Sequence, residues 1–440
     1  MFLSKGVDSR LFALDLLQRV NREGAFANII LPKELSGSKF DDADKAFITE
    51  LVYSTLRLSG KYDFAIERFS DRPVTDIDLK LLDLLRLGAH QIYGMRTPIH
   101  AALNETVEVA NKVLGKSKAS FLNALLRKLS TIKDLDQVIE DAISDPLEQM
   151  SVKFSHPKWM VQAFLDRLQD LSEVQLLLKT NNEPISPNLV AWPGLSSVEE
   201  LISEGAERLT LSNFAAVAKK PPHAYSAVKE KRAGVQDVGS QYLVELFFRT
   251  ATPGLDWLDL CAAPGGKAKL LYQLLNGEKF TANEVNPIRF ELLKNVLPSE
   301  VLTMHDGTIS SNFERRYDRI LIDAPCTGMG ALRRRPEARW RKTPSDLKNL
   351  VKLQSDLLQS ALSLLKPKGL IAYATCSPHL LETKVQIADF LHRNKNVRLR
   401  NLSEFSSASI DGLQPDGTMQ LWTHRNASDS MFLALLELEA

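Results

Sequence analysis

Apolar residues in the first third of this chain recur at helical spacing. Over residues 10–20 they fall at Leu11, Leu14, Leu17 and Val20, one stripe of a helix. The same spacing runs through residues 44–56, 76–93, 103–114 and 121–129, with Gly60, Pro73, Gly94, Pro98 and Gly115 as punctuation. Residues 1–140 are therefore expected to form an all-helical domain. The acidic stretch 134–150 reads as a connecting helix. Beyond His156 the elements shorten: a helix at 159–168, a polar turn at 181–188, a strand at 189–192 and a helix at 198–204. Residues 150–232 predict a small α/β linker domain.

From residue 256 the pattern changes again. Short apolar runs at 257–260, 280–284, 301–304, 319–322 and 370–374 alternate with amphipathic stretches at 267–275, 287–296 and 346–365, and a last strand is expected at 430–438. Continuous apolar runs are what strands covered on both faces require. Strand and helix in alternation predict an α/β fold over residues 234–440, a doubly wound and mostly parallel sheet with right-handed crossovers. Ligands of such sheets collect beyond the carboxyl ends of the strands. The turn Ala262-Ala263-Pro264-Gly265-Gly266, Glu284, Asp306, Asp323 and Cys376 all fall at or just past those ends. Small residues let a backbone approach a ligand closely, and the following helix offers free N–H groups. The turn fits neither the dinucleotide nor the P-loop fingerprint, so dehydrogenase and nucleotidase readings lose their support.

Composition narrows this picture. The chain has 440 residues, 44% hydrophobic and 25% charged, as in soluble globular proteins of two or three domains. No apolar run reaches transmembrane length and no secretory pattern opens the chain. Three cysteines, Cys261, Cys326 and Cys376, lie at or after predicted strands. An odd number without a C-x-x-C pair speaks against a disulfide framework and against zinc, and for a reducing cytosol. No metal and no membrane partner are expected, and the chain is expected to be a cytoplasmic monomer. The net charge of +1 means that any nucleic-acid surface must come from local clustering. One cluster stands out: residues 332–342 hold Arg333, Arg334, Arg335, Arg339, Arg341 and Lys342 around Trp340, against Glu337 alone. Arginines interleaved with an aromatic suit phosphates and an unstacked base.

Three segments, Cys261–Lys267, Asp323-Ala324-Pro325-Cys326-Thr327-Gly328 and Ala374-Thr375-Cys376-Ser377, together resemble the RNA cytosine-5 methyltransferase family. Residues 43–47, 50–57 and 123–128 resemble NusB-type helical domains found in its ribosomal RNA members. The resemblance implies a Rossmann-like class I methyltransferase domain behind a NusB-like RNA-binding domain, where Arg10, Arg19, Arg22, Lys45, Arg57, Arg127 and Lys128 could supply phosphate contacts. It implies S-adenosyl-L-methionine held by Cys261, Ala262, Ala263, Pro264, Gly265, Gly266, Lys267, Glu284, Asp306 and Asp323. It also implies that Cys376 attacks carbon 6 of cytosine, that Cys326 serves the later proton removal or release, and that Asp323 bonds the amidine edge of the base. A thiol beside a carboxylate is not obviously activated. Lys267 or the bound substrate must supply that activation. Small-subunit ribosomal RNA is the expected partner. Transfer RNA as substrate, or a non-catalytic RNA-binding assembly factor, are the competing readings.

Overall fold

The computed structural model describes residues 5–406 and 412–439. The chain forms two compact units. One comprises Met1–Leu165, Asp170–Glu183 and Arg334–Arg341; the other comprises Asp166–Gln169, Pro184–Arg333 and Lys342–Ala440.

The first unit is helical. Its principal helices are Lys5–Glu23, Asp42–Arg57, Ser59–Ser70, Leu79–Tyr93, Ile99–Leu114 and Lys116–Ser130. Aspartates start two of them, satisfying amides that have no partner inside the helix: Asp41 accepts from the Asp44 N–H at 2.9 Å, and Asp78 from the Leu81 N–H at 3.1 Å. The stretch 134–150 is not one helix. Asp145 and Pro146 end the first, Leu135–Ala142, and open a second, Pro146–Lys153. Leu84, Leu85, Leu122 and Leu126 are wholly buried in the core. Cutting any of them to Ala would cost about 2–5 kcal/mol. Two arginines expected to meet phosphates lie inside instead. Arg10 pairs with Glu105 and donates to Gln91 Oε1 at 2.7 Å, and buried Arg57 stacks over the Tyr53 ring. Their positions follow from the helix faces that the apolar stripe turns inward.

The second unit holds two sheets. In the smaller, β1 (Asn188–Ala191), β2 (Glu207–Arg208), β3 (Ala215–Val217) and β4 (Ala233–Val235) pair antiparallel in the order β2-β3-β1-β4. This sheet falls in the same compact unit as the large one. The reason is a polar seam: Asn188 Oδ1 accepts the Val238 N–H at 3.1 Å, and Gln241 donates to the Leu189 carbonyl at 3.2 Å. Both partners sit on the buried helix Val238–Phe248.

The large sheet contains β5 (Asp256–Asp259), β6 (Lys279–Asn283), β7 (Leu302–Thr303), β8 (Tyr317–Asp323), β9 (Leu365–Thr375), β10 (Val397–Arg400), β11 (Met419–Gln420) and β12 (Phe432–Leu438). Its order is β10-β12-β9-β8-β5-β6-β7, with β11 paired to β12. The strands from β7 to β9 are parallel, β12 runs antiparallel to β9, and β10 pairs antiparallel with β12 and so runs in the direction of β9. From β5 the chain first steps outward to β6 and β7, then returns to β8 and β9 on the other side. The crevice between the carboxyl ends of β5 and β8 is thus the topological switch point, where such sheets bind ligands. Near the start of β5, Trp257 is wholly buried in the core, edge-on to Phe247 at 5.1 Å between centroids.

Candidate active site

The glycine turn leaves β5 at the switch point and runs into the helix Gly266–Leu275. Gly265 has φ +112, and a Cβ there would meet Val296 Cγ2 at 2.4 Å, so both backbone and space demand glycine. The helix N-terminus carries no side-chain cap, which leaves its first N–H groups facing the crevice. Ala262 N–H is anchored to the Asn283 carbonyl at 2.8 Å, and Arg289 donates to the Ala263 carbonyl. Glu284, just past β6, is buried; it accepts the Asn286 N–H at 2.9 Å and has Arg289 Nη1 at 3.5 Å. Asp306, past β7, is exposed and turns one oxygen back on Thr308 at 2.7 Å and 2.9 Å.

Asp323 ends β8 and takes the Lys267 ammonium at 2.9 Å. Burial alone would lower the Lys267 pKa, but Asp323 overrides it and holds the ammonium above its ordinary range. Cys326 and Cys376 follow the ends of adjacent strands β8 and β9, and their sulfurs lie 3.4 Å apart. The hydrogen bond between the two sulfurs lowers the Cys376 pKa. Burial and Asp323 oppose this, and the Lys267 charge assists it. The Cys326 thiol is pushed up by the same bond and by burial. Of the two sulfurs, Cys376 is therefore the one its surroundings favour as the thiolate. Gly330 lies against this junction: its N–H donates to the Cys376 carbonyl at 2.8 Å, and a Cβ would stand 2.2 Å from the Ser430 carbonyl oxygen. Cys261 is different. Burial first, then Asp259, raises its thiol far above the ordinary range, and it packs against apolar core.

Two buried groups were not read from the sequence. Asp259, fully buried at the end of β5, has its pKa raised to about 8 by burial and by Asp323. An acid closing an apolar strand is the signal that could have found it. Gln236 is 7% exposed, and neither side-chain atom, Nε2 nor Oε1, has a hydrogen-bond partner. Its side chain packs beside Gly266, with Oε1 3.9 Å from where a Cβ would lie.

Comparison with known proteins decides what this geometry belongs to. The family model described as "16S rRNA methyltransferase RsmB/F" matches residues 250–437, and the NusB family model matches residues 7–131. A Mycobacterium tuberculosis protein named as a methyltransferase is 39% identical over 97% of this chain and 96% of its own length. The chain belongs to the RsmB/F methyltransferase family. A member named ribosomal RNA small subunit methyltransferase B, from Cronobacter sakazakii, is 29% identical over 93% of this chain and 96% of its own. The crystal structure of PH0851 superposes with a TM-score of 0.81 at 22% identity, covering 99% of each chain. That of NSun6 from Pyrococcus horikoshii with SFG, an S-adenosylmethionine analogue, does so at 0.56 and 16% identity, covering 64% of this chain and 98% of the other. These last two show the fold.

RsmB/F enzymes are S-adenosylmethionine-dependent, and the residues here suit that cofactor. Buried Glu284 offers a carboxylate at the ribose position of such sheets. The uncapped helix N-terminus and the unpartnered Gln236 amide offer donors and an acceptor where an amino-acid moiety needs both. When bound, the cofactor supplies an electrophilic methyl group.

The arginine run of this RsmB/F chain is divided. Arg339 is 0% exposed and belongs to the helical unit. It donates to the carbonyls of Arg57, Asn181 and Ser155 and to Asn182 Oδ1 at 2.7–3.1 Å. Arg341 donates to the carbonyls of Val20, Gly24 and Ala25. Both were expected at an RNA surface, and both are structural cross-links instead, because three elements end in carbonyls that only a fork of donors can satisfy. Arg335 lies over the Phe26 ring at 5.5 Å. Arg333, Arg334 and Lys342 are half-buried, with Arg333 donating to the Pro184 carbonyl at 2.9 Å. Among the described residues no helix is long and apolar enough to cross a membrane.

Proposed function

We propose that this enzyme methylates carbon 5 of a cytosine in small-subunit ribosomal RNA, through a transient bond between Cys376 and carbon 6 of the base. The observation that carries the reading is the thiol pair, 3.4 Å apart and beside the Lys267–Asp323 ion pair. Carbon 5 of cytosine is a poor nucleophile. A thiolate adding to carbon 6 moves the ring electrons to carbon 5, which can then accept a methyl group. The charge distribution favours Cys376 as that thiolate. Its addition is helped by hydrogen bonding at the amidine edge of the base, a role open to the Asp323 carboxyl, which Lys267 holds in place. After transfer, carbon 5 carries both a methyl group and a proton. Cys326, once it has released to solvent the proton it holds in the resting pair, removes the carbon 5 proton as the thiolate, the electrons re-form the carbon 5–carbon 6 double bond, and Cys376 leaves as a thiolate. The ribosomal RNA substrate is supported by the family and by the printed names of its members, and the cytoplasm is the compartment in which they would act.

The reading is tested by separating the two thiols. Cys376→Ala should form no RNA adduct and transfer no methyl group. Cys326→Ala should attack and fail to release, so that a protein–RNA band accumulates on a denaturing gel. Methylation persisting in both variants would remove thiol catalysis.

A further inference from the structure

Glu382 is 0% exposed, rare for a carboxylate, and it takes no part in the steps above. Its Oε1 accepts the Thr327 N–H at 2.8 Å and the Gln354 amide at 3.1 Å. Its Oε2 accepts the Thr327 hydroxyl at 2.5 Å, and its carbonyl accepts the Tyr373 hydroxyl at 2.9 Å. Every one of these partners leads to a cysteine. Thr327 is the residue after Cys326. Its hydroxyl also lies 3.1 Å from the Ser377 hydroxyl, and Ser377 is the residue after Cys376. The Gln354 amide donates in addition to the carbonyl of Pro325, the residue before Cys326, at 2.8 Å. Tyr373 stands on β9 three residues before Cys376.

We propose that Glu382 is the positioning residue that sets Cys326 against Cys376. It fixes the separation of the two sulfurs through Thr327, Ser377 and Gln354, and touches neither sulfur itself. The physical ground is that a buried carboxylate is tolerable only with its lone pairs filled, so the three donors are held where the oxygens require them. Those donors belong to the loop of one cysteine and to the helix Pro344–Leu364 behind it, while Tyr373 and Ser377 belong to the strand and loop of the other. Two short loops that would otherwise vary independently are tied to one group. Its value for catalysis rests on the thiol roles proposed above; the separation itself does not.

The test reads that separation directly. Diamide, an azodicarboxamide, oxidises two neighbouring thiols to a disulfide and is itself reduced to the hydrazine, taking both protons and both electrons. The rate of Cys326–Cys376 disulfide formation, mapped by mass spectrometry in the full chain, therefore reports proximity without any methyl transfer. Glu382→Asp keeps the charge but withdraws the carboxylate by one methylene. It should slow disulfide formation and methyl transfer together, by up to about a hundredfold, as displacements on the order of 1 Å do, with S-adenosylmethionine affinity unchanged. Glu382→Gln should restore most of both rates, since its oxygen still accepts from Thr327 N–H and its amide can face the Thr327 hydroxyl. Gln rescue excludes a role for the charge as a base. Wild-type disulfide and methylation rates in Glu382→Asp would overturn the proposal, as would equal loss in Asp and Gln variants. Should Glu382→Asp fail to fold, Thr327→Val removes one of the same bonds and must slow disulfide formation if the proposal holds. Methyl transfer surviving in Cys376→Ala would instead sink the thiol chemistry while the diamide rates still judge Glu382.

Discussion

Lys267 and Arg339 are both cations largely withdrawn from water, one in each compact unit, and they are held in opposite ways. Arg339 meets neutral acceptors, three backbone carbonyls and an amide oxygen, and burial pushes its pKa down to about 9. Lys267 meets Asp323, whose charge keeps it firmly protonated despite burial. Carbonyl dipoles satisfy donors without cancelling charge, which makes a rigid cross-link. A carboxylate cancels charge but leaves both groups able to respond when the neighbouring sulfur or a substrate changes its own charge. The first arrangement suits a scaffold and the second a reaction site.

Breaking the reactive cation should have the largest effect. Lys267→Met leaves Asp323 unpaired and removes the positive charge that favours the Cys376 thiolate. Single-turnover methyl transfer should fall by about a thousandfold, within the range of a lost acid–base group, while circular dichroism stays unchanged. A loss under tenfold would place Lys267 outside the chemistry.

Breaking the structural cation should act on stability instead. Arg339→Met removes the donor that four acceptors share, and burial makes each loss expensive. The helical unit should lose about 3 kcal/mol or more, read as an earlier transition in urea. The salt slope of RNA binding should not move in the variant that remains folded. The converse, stable helices with a shallower slope, would return Arg339 to the RNA surface.

A smaller effect concerns Asp259 and sharpens the electrostatic side of the comparison. Its folded pKa lies near 8, above the ordinary 3.8, so the folded state keeps a proton that the unfolded chain releases. Stability from this group is fully present below the unfolded value and is lost as pH rises through the folded one. The melting temperature of the native protein should therefore decline relative to Asp259→Asn between about pH 4 and pH 8 and level off above that. Parallel curves would show that Asp259 is ionised throughout. The smallest effect is expected from Arg333→Ala with Lys342→Ala. If these two still meet phosphates, the salt slope should flatten by about two units.

Much of the fold was legible because periodicity is a local property. Helical spacing located the first unit, and the alternation of apolar runs with amphipathic stretches located the large sheet. The position of Glu284, Asp323 and Cys376 at strand ends then followed from how parallel sheets bind ligands. Where a local stop signal was passed over, as at Asp145-Pro146, one helix was read for two. The arginine run misled for a related reason. Charge in a row says that cations are present, and six of them looked alike, but Arg339 is buried and Arg341 is tied to carbonyls far away in sequence.

By itself, the sequence determined the helical character of the first unit, most strands of the large sheet and the residue types at their ends, since these depend on neighbours a few positions apart. Tertiary structure alone decided that the small sheet joins the large unit, that two sulfurs fifty residues apart along the chain meet at 3.4 Å, and that Glu382 binds Thr327 beside one of them, which in turn meets Ser377 beside the other. Such contacts depend on which groups are brought together when distant segments close around a common core. A carboxylate or a guanidinium has no fixed role until that closure decides whether water, a carbonyl or an opposite charge stands next to it.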